Sequence, residues 1–213
     1  MAVRFVKICG ITRAEDAALA VELGATALGF VFWPGSPRFI DPYRARPIIR
    51  DLPVGVTPVG VFVDQPIEYV NGVAAVARLG AVQLHGAESP EYAALAVRPV
   101  LKAIPLEPGI APTGLDRWPA RVTLLVDVHD PARRGGTGRT VDWTVAERIA
   151  RTRRTVLAGG LAAENLRTAV AGVRPFGVDV SSGVEVRPGV KDPARLRAFF
   201  AALADVNGGE ETA

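Results

Sequence analysis

Short apolar runs alternate with helical patterns along the whole chain, and this alternation limits the fold more than any other feature of the sequence. Eight such runs occur in 213 residues, and most are apolar at nearly every position. Continuous apolar runs are typical of strands covered on both faces, as in a parallel sheet. The predicted strands are Val3–Cys9, Ala27–Trp33, Val56–Val63, Ala81–Leu84, Val100–Ile104, Val122–Asp127, Thr155–Ala158 and Gly177–Val180.

Between the strands lie sequences that begin helices. Thr12 and Glu15 have the spacing of a capping box, in which each side chain bonds a free backbone amide. Three further sites place a capping Asp or Ser before a proline, which suits the first turn of a helix. These sites are Asp41-Pro42, Ser89-Pro90 and Asp192-Pro193. Residues 106–119 hold too many Pro and Gly for a regular helix, so we expect the fifth helix to be short or missing.

This order of elements predicts an α/β protein with a single (β/α)8 barrel, the TIM barrel. Parallel strands need crossover helices, and eight such units close into a barrel near the small end of its size range. We expect the barrel to occupy residues 1–206 and residues 207–213 to form a disordered tail. The alternative is a doubly wound open sheet, which usually carries a Gly-rich dinucleotide turn after its first strand. The turn at residues 9–12, CGIT, lacks that pattern.

The composition limits the cellular compartment and the classes of partner that we expect. The chain has one cysteine, which excludes an intrachain disulfide and suits a reducing compartment. Its charge-free stretches are too short to cross a membrane and no signal peptide is evident, so we expect a cytoplasmic protein without a membrane partner. The net charge of +3 comes from scattered basic residues, and the densest run, residues 148–154, is interpreted as the solvated end of a helix. We expect no nucleic-acid partner; a monomer and a homodimer both stay open.

The ligand site of a (β/α)8 barrel lies at the carboxyl ends of the strands and in the loops that follow them. Cys9 ends strand one, Arg38 lies in loop two, His85 follows strand four and Asp127 ends strand six. A thiol and a carboxylate across a barrel mouth form an acid–base pair, which suits isomerisation by proton transfer. A guanidinium between Pro and Phe suits bidentate capture of a carboxylate or a phosphate.

Each of these four side chains also has an ordinary structural interpretation. A free cysteine such as Cys9 is usually a small buried apolar residue. Asp127 could cap a loop, His85 could bond a neighbouring loop, and Arg38 could be a surface charge.

Two glycine-rich strand ends predict a phosphate site. Loops seven and eight of such barrels often bind phosphate, because backbone amides converge there and glycine allows close approach. Serine hydroxyls add donors. A GGTG run in loop six could close over the ligand as a flap. The predicted phosphate-binding residues are Gly159, Gly160, Ser181, Ser182 and Gly183, and the flap comprises Gly135, Gly136, Thr137 and Gly138.

We expect no metal and no cofactor. No Cys and His residues have the spacing of a zinc site, and neither a Walker-type phosphate loop nor a serine-hydrolase nucleophile elbow is present. The reaction should therefore be one that side chains perform alone on a small phosphorylated substrate.

Seven motifs, in order from Val3 to about Ala204, resemble the phosphoribosylanthranilate isomerase family. The motifs are VKICGIT (6–12), GFVFWPGSPRFI (29–40), VGVFVDQP (59–66), VQLHG (82–86), LLVDVHDPARRGGTGRTVDW (124–143), LAGGLAAEN (157–165) and GVDVSSGVEVRPGVKD (177–192). The resemblance implies a cofactor-free step of tryptophan biosynthesis. In that step, an Amadori rearrangement converts N-(5'-phosphoribosyl)anthranilate to 1-(o-carboxyphenylamino)-1-deoxyribulose 5-phosphate.

The same resemblance implies a role for each matched side chain. Cys9 is the general base, Asp127 is the general acid, and Arg38 binds the anthranilate carboxylate; His85 is a further substrate-binding candidate. These roles require Cys9 as a thiolate and Asp127 protonated, and we expect cationic surroundings to favour the thiolate. Asp130, in the loop after Asp127, is a second candidate for the acid.

Four rival assignments follow from the same residues. An indole-glycerol-phosphate synthase needs a catalytic lysine, for which Lys7 lies near a strand end and Lys102 lies inside a strand. A ribulose-phosphate 3-epimerase needs metal-binding His and Asp residues, which the two histidines present barely allow. A bifunctional isomerase that also acts in histidine biosynthesis would carry an aspartate in place of Cys9. A non-catalytic sugar-phosphate-binding barrel would need neither Cys9 nor Asp127.

Overall fold

Eight parallel strands form a closed barrel in the computed structural model, which describes residues 2–106, 110, 112–128 and 143–208. Each strand pairs with its neighbours in sequence, and β1 pairs with β8 to close the ring. The predicted (β/α)8 barrel is therefore confirmed, and the open sheet is wrong. The strands are β1 Phe5–Cys9, β2 Ala27–Val31, β3 Thr57–Phe62, β4 Ala81–Leu84, β5 Val100–Leu106, β6 Thr123–Val128, β7 Thr155–Ala158 and β8 Gly177–Val180.

Helices follow seven of the eight strands in the described part of the chain. They are α1 Ala14–Glu22, α2 Pro42–Arg50, α3 Ile67–Val76, α4 Pro90–Ala93, α5 Thr144–Thr152, α6 Ala163–Val173 and α7 Pro193–Gly208. Between β5 and β6 the described residues hold only one 3-10 turn, Leu115–Arg117, which confirms that the fifth helix is reduced. The predicted tail boundary is two residues too early, because α7 continues through Asn207 and Gly208, and the Asn207 side chain accepts a hydrogen bond from the Val3 amide (2.9 Å). Residues 209–213 lie outside the described part.

The predicted caps are partly correct. Asp41 and Ser89 accept hydrogen bonds from the amides of Tyr43 and Tyr92, as N-cap residues do. The capping box at Thr12 is wrong, because the Thr12 hydroxyl donates to the carbonyl of Gly189 instead and bonds no amide of α1. The Thr12 side chain, which the local pattern assigns to the helix, therefore bonds a loop that is distant in sequence.

Alternation along the strands decides which side chains enter the barrel. In β1, Val6 and Ile8 belong to the apolar shell between strands and helices, whereas Phe5 and Cys9 belong to clusters inside the barrel. The same period of two places Leu125 inside and Val126 outside in β6. Asp127, two residues after Leu125, therefore faces the barrel mouth.

A short antiparallel hairpin follows β8. Its strands are β9, Glu185–Arg187, and β10, Val190–Lys191. The hairpin returns the chain to the end of β1, because the amide of Lys191 donates to the Asp16 carboxylate in α1 (3.0 Å). It covers one side of the barrel mouth before α7 begins.

The arginine run at residues 148–154 is only partly a solvated helix end. Arg148 and Arg151 are exposed, as predicted. Arg153 instead donates to the carbonyls of Leu115 and Pro119 and so fastens the β5–β6 connection. No helix in the described part of the chain is long and apolar enough to cross a membrane.

Candidate active site

Cys9 is the last residue of β1, and its thiol lies inside the barrel near the mouth. It pairs in register with Gly29 of β2, and a Cβ at Gly29 would lie only 2.8 Å from the Cys9 sulfur. The glycine therefore leaves the space that the sulfur occupies. The Cys9 residue is 9% exposed, so the thiol is nearly removed from water.

A buried ion pair lies one layer below the thiol. Lys7 precedes Cys9 by two residues on the same inner face, and its ammonium lies 2.9 Å from a carboxylate oxygen of Asp179 in β8. The Lys7 side chain is fully buried, and Asp179 is 9% exposed at its side chain. Burial is the largest single effect and lowers the pKa of Lys7, but Asp179 and Cys9 together outweigh it and raise the pKa, so Lys7 stays protonated.

Burial raises the pKa of the Cys9 thiol in the free protein. The neighbouring cations Lys7 and Lys191 oppose this effect, and the Asp179 charge adds to it. The expected cationic surroundings of Cys9 are present and favour the thiolate, but in the free protein they do not outweigh burial. Withdrawal from water penalises a thiolate more than the two ammonium groups stabilise it.

Asp127 lies beside His85 at the mouth. The Asp127 Oδ2 and His85 Nε2 atoms are 3.6 Å apart, and both side chains are about one third exposed. On its other side the imidazole Nδ1 lies 2.8 Å from the Gln83 amide nitrogen. With that amide donating, the imidazole proton sits on Nε2 and points toward Asp127. His85 therefore lies at the mouth next to Asp127, and its contact with Gln83 was not predicted from sequence.

Arg38 crosses the loop that follows Cys9. A Cβ at Gly10 would lie 2.6 Å from the Arg38 Cδ, and Gly10 itself has a φ of +79°, a conformation that glycine adopts without strain. The guanidinium is bound by Glu185 of β9 through Nε and Nη2, at 3.0 and 2.7 Å. The sequence predicted that Arg38 captures a carboxylate or a phosphate, and the structure shows that one edge of its guanidinium already binds Glu185.

Loops seven and eight meet closely, as predicted for a phosphate site. Gly159 and Gly160 both have positive φ, 93° and 59°. A Cβ at Gly183 would lie 1.9 Å from the Leu161 carbonyl oxygen, so only glycine permits this approach of the two loops. The Ser181 hydroxyl donates to the Cys9 carbonyl (3.1 Å), so in this arrangement it joins two loops and does not point its proton at a ligand.

The two lysines that a synthase would need are both engaged elsewhere. Lys102 faces outward from β5 and pairs with the buried Glu88 at 2.8 Å, while Lys7 pairs with Asp179. Among the described residues no group of His, Cys, Asp and Glu could hold a metal ion. The predicted flap at residues 135–138 and Asp130, the second candidate for the acid, lie outside the described part of the chain.

Sequence reasoning missed three further polar residues around the site. Asp179, Glu185 and Lys191 stand within the last matched motif, but the motif alone assigns them no partner. A usable signal did exist for one pair: Lys7 and Asp179 are single charges inside two apolar strands, and a closed barrel makes the first and last strands neighbours. Two opposite charges in adjacent apolar strands indicate an ion pair.

The fold and the site together define a class of protein. The chain is a (β/α)8 barrel with a thiol, Cys9, and a carboxylate, Asp127, at the carboxyl ends of its strands, where enzymes of this fold hold their active sites.

Comparison with known proteins identifies the family. The family model of N-(5'-phosphoribosyl)anthranilate (PRA) isomerase matches residues 6–202. The PRA isomerase of Pelobacter propionicus is 47% identical over 197 residues, covering 92% of this chain and 93% of that protein. The crystal structure of the Thermus thermophilus enzyme has a TM-score of 0.84 and 48% identity, covering 95% of this chain and all of that one. The chain belongs to the PRA isomerase family.

One further solved PRA isomerase holds a ligand. Its TM-score is 0.81 and its sequence is 40% identical, and the match covers 98% of this chain and all of that one. That protein is in complex with reduced 1-(o-carboxyphenylamino)-1-deoxyribulose 5-phosphate. The ligand carries a phosphate at one end and an aromatic carboxylate at the other.

Proposed function

We propose that the protein catalyses the Amadori rearrangement of N-(5'-phosphoribosyl)anthranilate to 1-(o-carboxyphenylamino)-1-deoxyribulose 5-phosphate, a step of tryptophan biosynthesis in the cytoplasm. The observation that carries this proposal is the shared mouth of Cys9 and Asp127, which gives one proton acceptor and one proton donor. Family membership over residues 6–202 supports the substrate. Arg38 and the glycine turns of loops seven and eight supply groups for the two anionic ends of that substrate.

The chemistry consists of proton transfers and the opening of one C–O bond, with no net oxidation. Asp127 donates its proton to the furanose ring oxygen, the C1'–O bond breaks, and the anthranilate nitrogen becomes a Schiff base. Cys9 as thiolate then removes the C2' proton, and the electron pair left on C2' forms an enolamine. Tautomerisation of the enolamine gives the ketone product. A thiol and a carboxyl group perform these steps alone, so we propose no metal and no cofactor.

Each catalytic group has a neighbour suited to its task. His85 Nε2 lies beside Asp127 and can hydrogen-bond its carboxylate after the proton has been given up. Cys9 rests as a thiol, because burial raises its pKa, and the nearby ammonium groups of Lys7 and Lys191 stabilise the thiolate once it forms.

A fluorescence assay tests the proposal. The purified protein is mixed with freshly made N-(5'-phosphoribosyl)anthranilate and chelator, and the loss of anthranilate-type fluorescence is followed. We expect decay faster than spontaneous hydrolysis. Tight binding without turnover would instead support a sugar-phosphate-binding barrel. Turnover of the aminoimidazole substrate of histidine biosynthesis at a comparable rate would support the bifunctional isomerase.

A further inference from the structure

We infer that Glu185 is a positioning residue that orients the Arg38 guanidinium for an aromatic carboxylate, and so sets the preference of the site for a carboxylated substrate. The inference rests on the proposed function and assigns a role to a residue that does not itself touch substrate. Glu185 and Arg38 form an ion pair. Glu185 accepts from Arg38 Nε at 3.0 and 3.1 Å and from Nη2 at 2.7 Å.

Glu185 binds one edge of the Arg38 guanidinium, formed by Nε and Nη2. The edge that carries Nη1 does not contact Glu185. A guanidinium has five donors in a rigid plane, so a carboxylate that engages Nε and Nη2 fixes the direction of Nη1. The Glu185 side chain is 3% exposed and that of Arg38 is 23% exposed. The Glu185 carboxylate is therefore buried, whereas part of the Arg38 guanidinium is exposed at the barrel mouth.

Glu185 is itself held from behind. Its Oε1 accepts from Lys191 Nζ at 2.9 Å and from the Gly189 amide at 3.2 Å, and the Lys191 side chain is fully buried. Lys191 Nζ also donates to the Cys9 carbonyl. The chain of contacts from Cys9 through Lys191 and Glu185 to Arg38 fixes the carboxylate clamp relative to the base.

The charges of Arg38, Lys191 and Glu185 also favour a carboxylated ligand. Arg38 and Lys191 carry two positive charges and Glu185 carries one negative charge, so the cluster has a net charge of +1. A substrate carboxylate at Arg38 neutralises it. A ligand that lacks the carboxylate gains nothing from the cluster, because Glu185 already satisfies the inner edge of the guanidinium. The cluster should therefore act on carboxylated ligands alone.

The Glu185→Gln variant removes this arrangement with little change in size. One amide oxygen has two lone pairs and cannot accept from all four donors that Glu185 binds, which are Arg38 Nε and Nη2, Lys191 Nζ and the Gly189 amide. The amide NH2 group would face donors and not acceptors, so part of the contact with Arg38 or Lys191 is lost. Arg38 is then free to rotate, and immobilising it costs binding energy. We expect about a tenfold loss of affinity for a carboxylated ligand, the scale of one immobilised long side chain.

Two probes and three variants test this inference by titration calorimetry. The probes are reduced 1-(o-carboxyphenylamino)-1-deoxyribulose 5-phosphate and its phenylamino counterpart, which lacks the carboxylate. Glu185→Gln should weaken the first about tenfold and leave the second within about twofold. In a double-mutant cycle, adding Glu185→Gln to Arg38→Ala should cause no further loss, because Glu185 acts through Arg38. Equal weakening of both probes, or additive losses in the cycle, would overturn the inference.

Two further variants keep the test decisive. Glu185→Asp keeps the charge but is one methylene shorter, and it should also weaken only the carboxylated probe; unchanged affinity in this variant would contradict the role. Glu88→Gln is the matched control, because Glu88 is an equally buried glutamate paired with Lys102 outside the barrel. It should lower stability without changing the ratio of the two affinities.

The outcomes also separate this inference from the proposed function. If Arg38→Ala leaves the affinity ratio of the probes unchanged, the carboxylate clamp of the proposed function is wrong. If Arg38→Ala abolishes the preference and Glu185→Gln does not, the clamp stands and only the role of Glu185 is refuted.

Discussion

Replacing Lys7 by methionine should strongly destabilise the barrel. The substitution keeps an unbranched side chain of similar volume but removes the ammonium group that lies 2.9 Å from the Asp179 carboxylate. With Lys7 fully buried and the Asp179 side chain only 9% exposed, water cannot replace the lost partner. Removing one member of a buried ion pair typically costs about 3–5 kcal/mol, because the other charge is left uncompensated.

The expected change is large enough to measure in two ways. For a domain of this size each kcal/mol lowers Tm by about 2–4 °C, so Lys7→Met should melt about 6–20 °C below the wild type. Thermal unfolding followed by circular dichroism gives Tm, and urea unfolding gives the free energy. Arg167→Met is the control, because its pair with Asp205 is exposed and should contribute at most about 1 kcal/mol.

A double variant shows whether the pair itself is responsible. In Lys7→Met/Asp179→Leu both charges are gone, and apolar replacements of a buried pair are often neutral or stabilising. We expect this variant to recover most of the lost stability. Less than about 1 kcal/mol of destabilisation in Lys7→Met, or no recovery in the double variant, would refute the electrostatic account of the pair.

Two further predictions follow from the glycine contact and from the buried thiol. Gly183→Ala places a Cβ 1.9 Å from the Leu161 carbonyl oxygen; it should cost about 1–3 kcal/mol in urea unfolding and raise KM as loops seven and eight separate. The control Gly72→Ala has no atom within 4 Å of the new Cβ in α3 and should be neutral or stabilising by about 0.4–1 kcal/mol; equal effects of the two changes would contradict the contact. Because burial raises the pKa of Cys9 above its ordinary value of about 8.5, the thiolate of the free protein should form only at higher pH. The ultraviolet absorbance of the thiolate, measured against Cys9→Ser, reports the same titration, and a midpoint below about 8 would refute the dominance of burial.

The barrel and the positions of its main polar groups could be predicted from sequence because both depend on local order. Apolar runs and capping residues set the strands and helices, and barrel topology then brings every strand end to one face. The sequence therefore predicted the location of four polar side chains at the ends of the strands or in the loops that follow them: Cys9, Arg38, His85 and Asp127. The roles assigned to them stay predictions until the variants are measured.

The partners of these groups could not be predicted, because they come from distant parts of the chain. Lys7 and Asp179 are 172 positions apart, and Arg38 and Glu185 are 147 apart. The same competition explains the failed capping box, since Thr12 bonds Gly189, 177 positions away. The raised pKa of Cys9 depends on burial by the whole barrel, which no local pattern reports.

The most direct test of the account is the turnover of three variants on N-(5'-phosphoribosyl)anthranilate, with folding verified by circular dichroism. Cys9→Ser and Asp127→Asn should each lower kcat by about a thousandfold, within the usual contribution of a general base or acid. Asp130→Asn, at the second acid of loop six, should keep kcat within about threefold of the wild type, since it removes no group of the proposed pair. Near-normal turnover by Cys9→Ser or Asp127→Asn, or a thousandfold loss in Asp130→Asn, would contradict the assignment of base and acid.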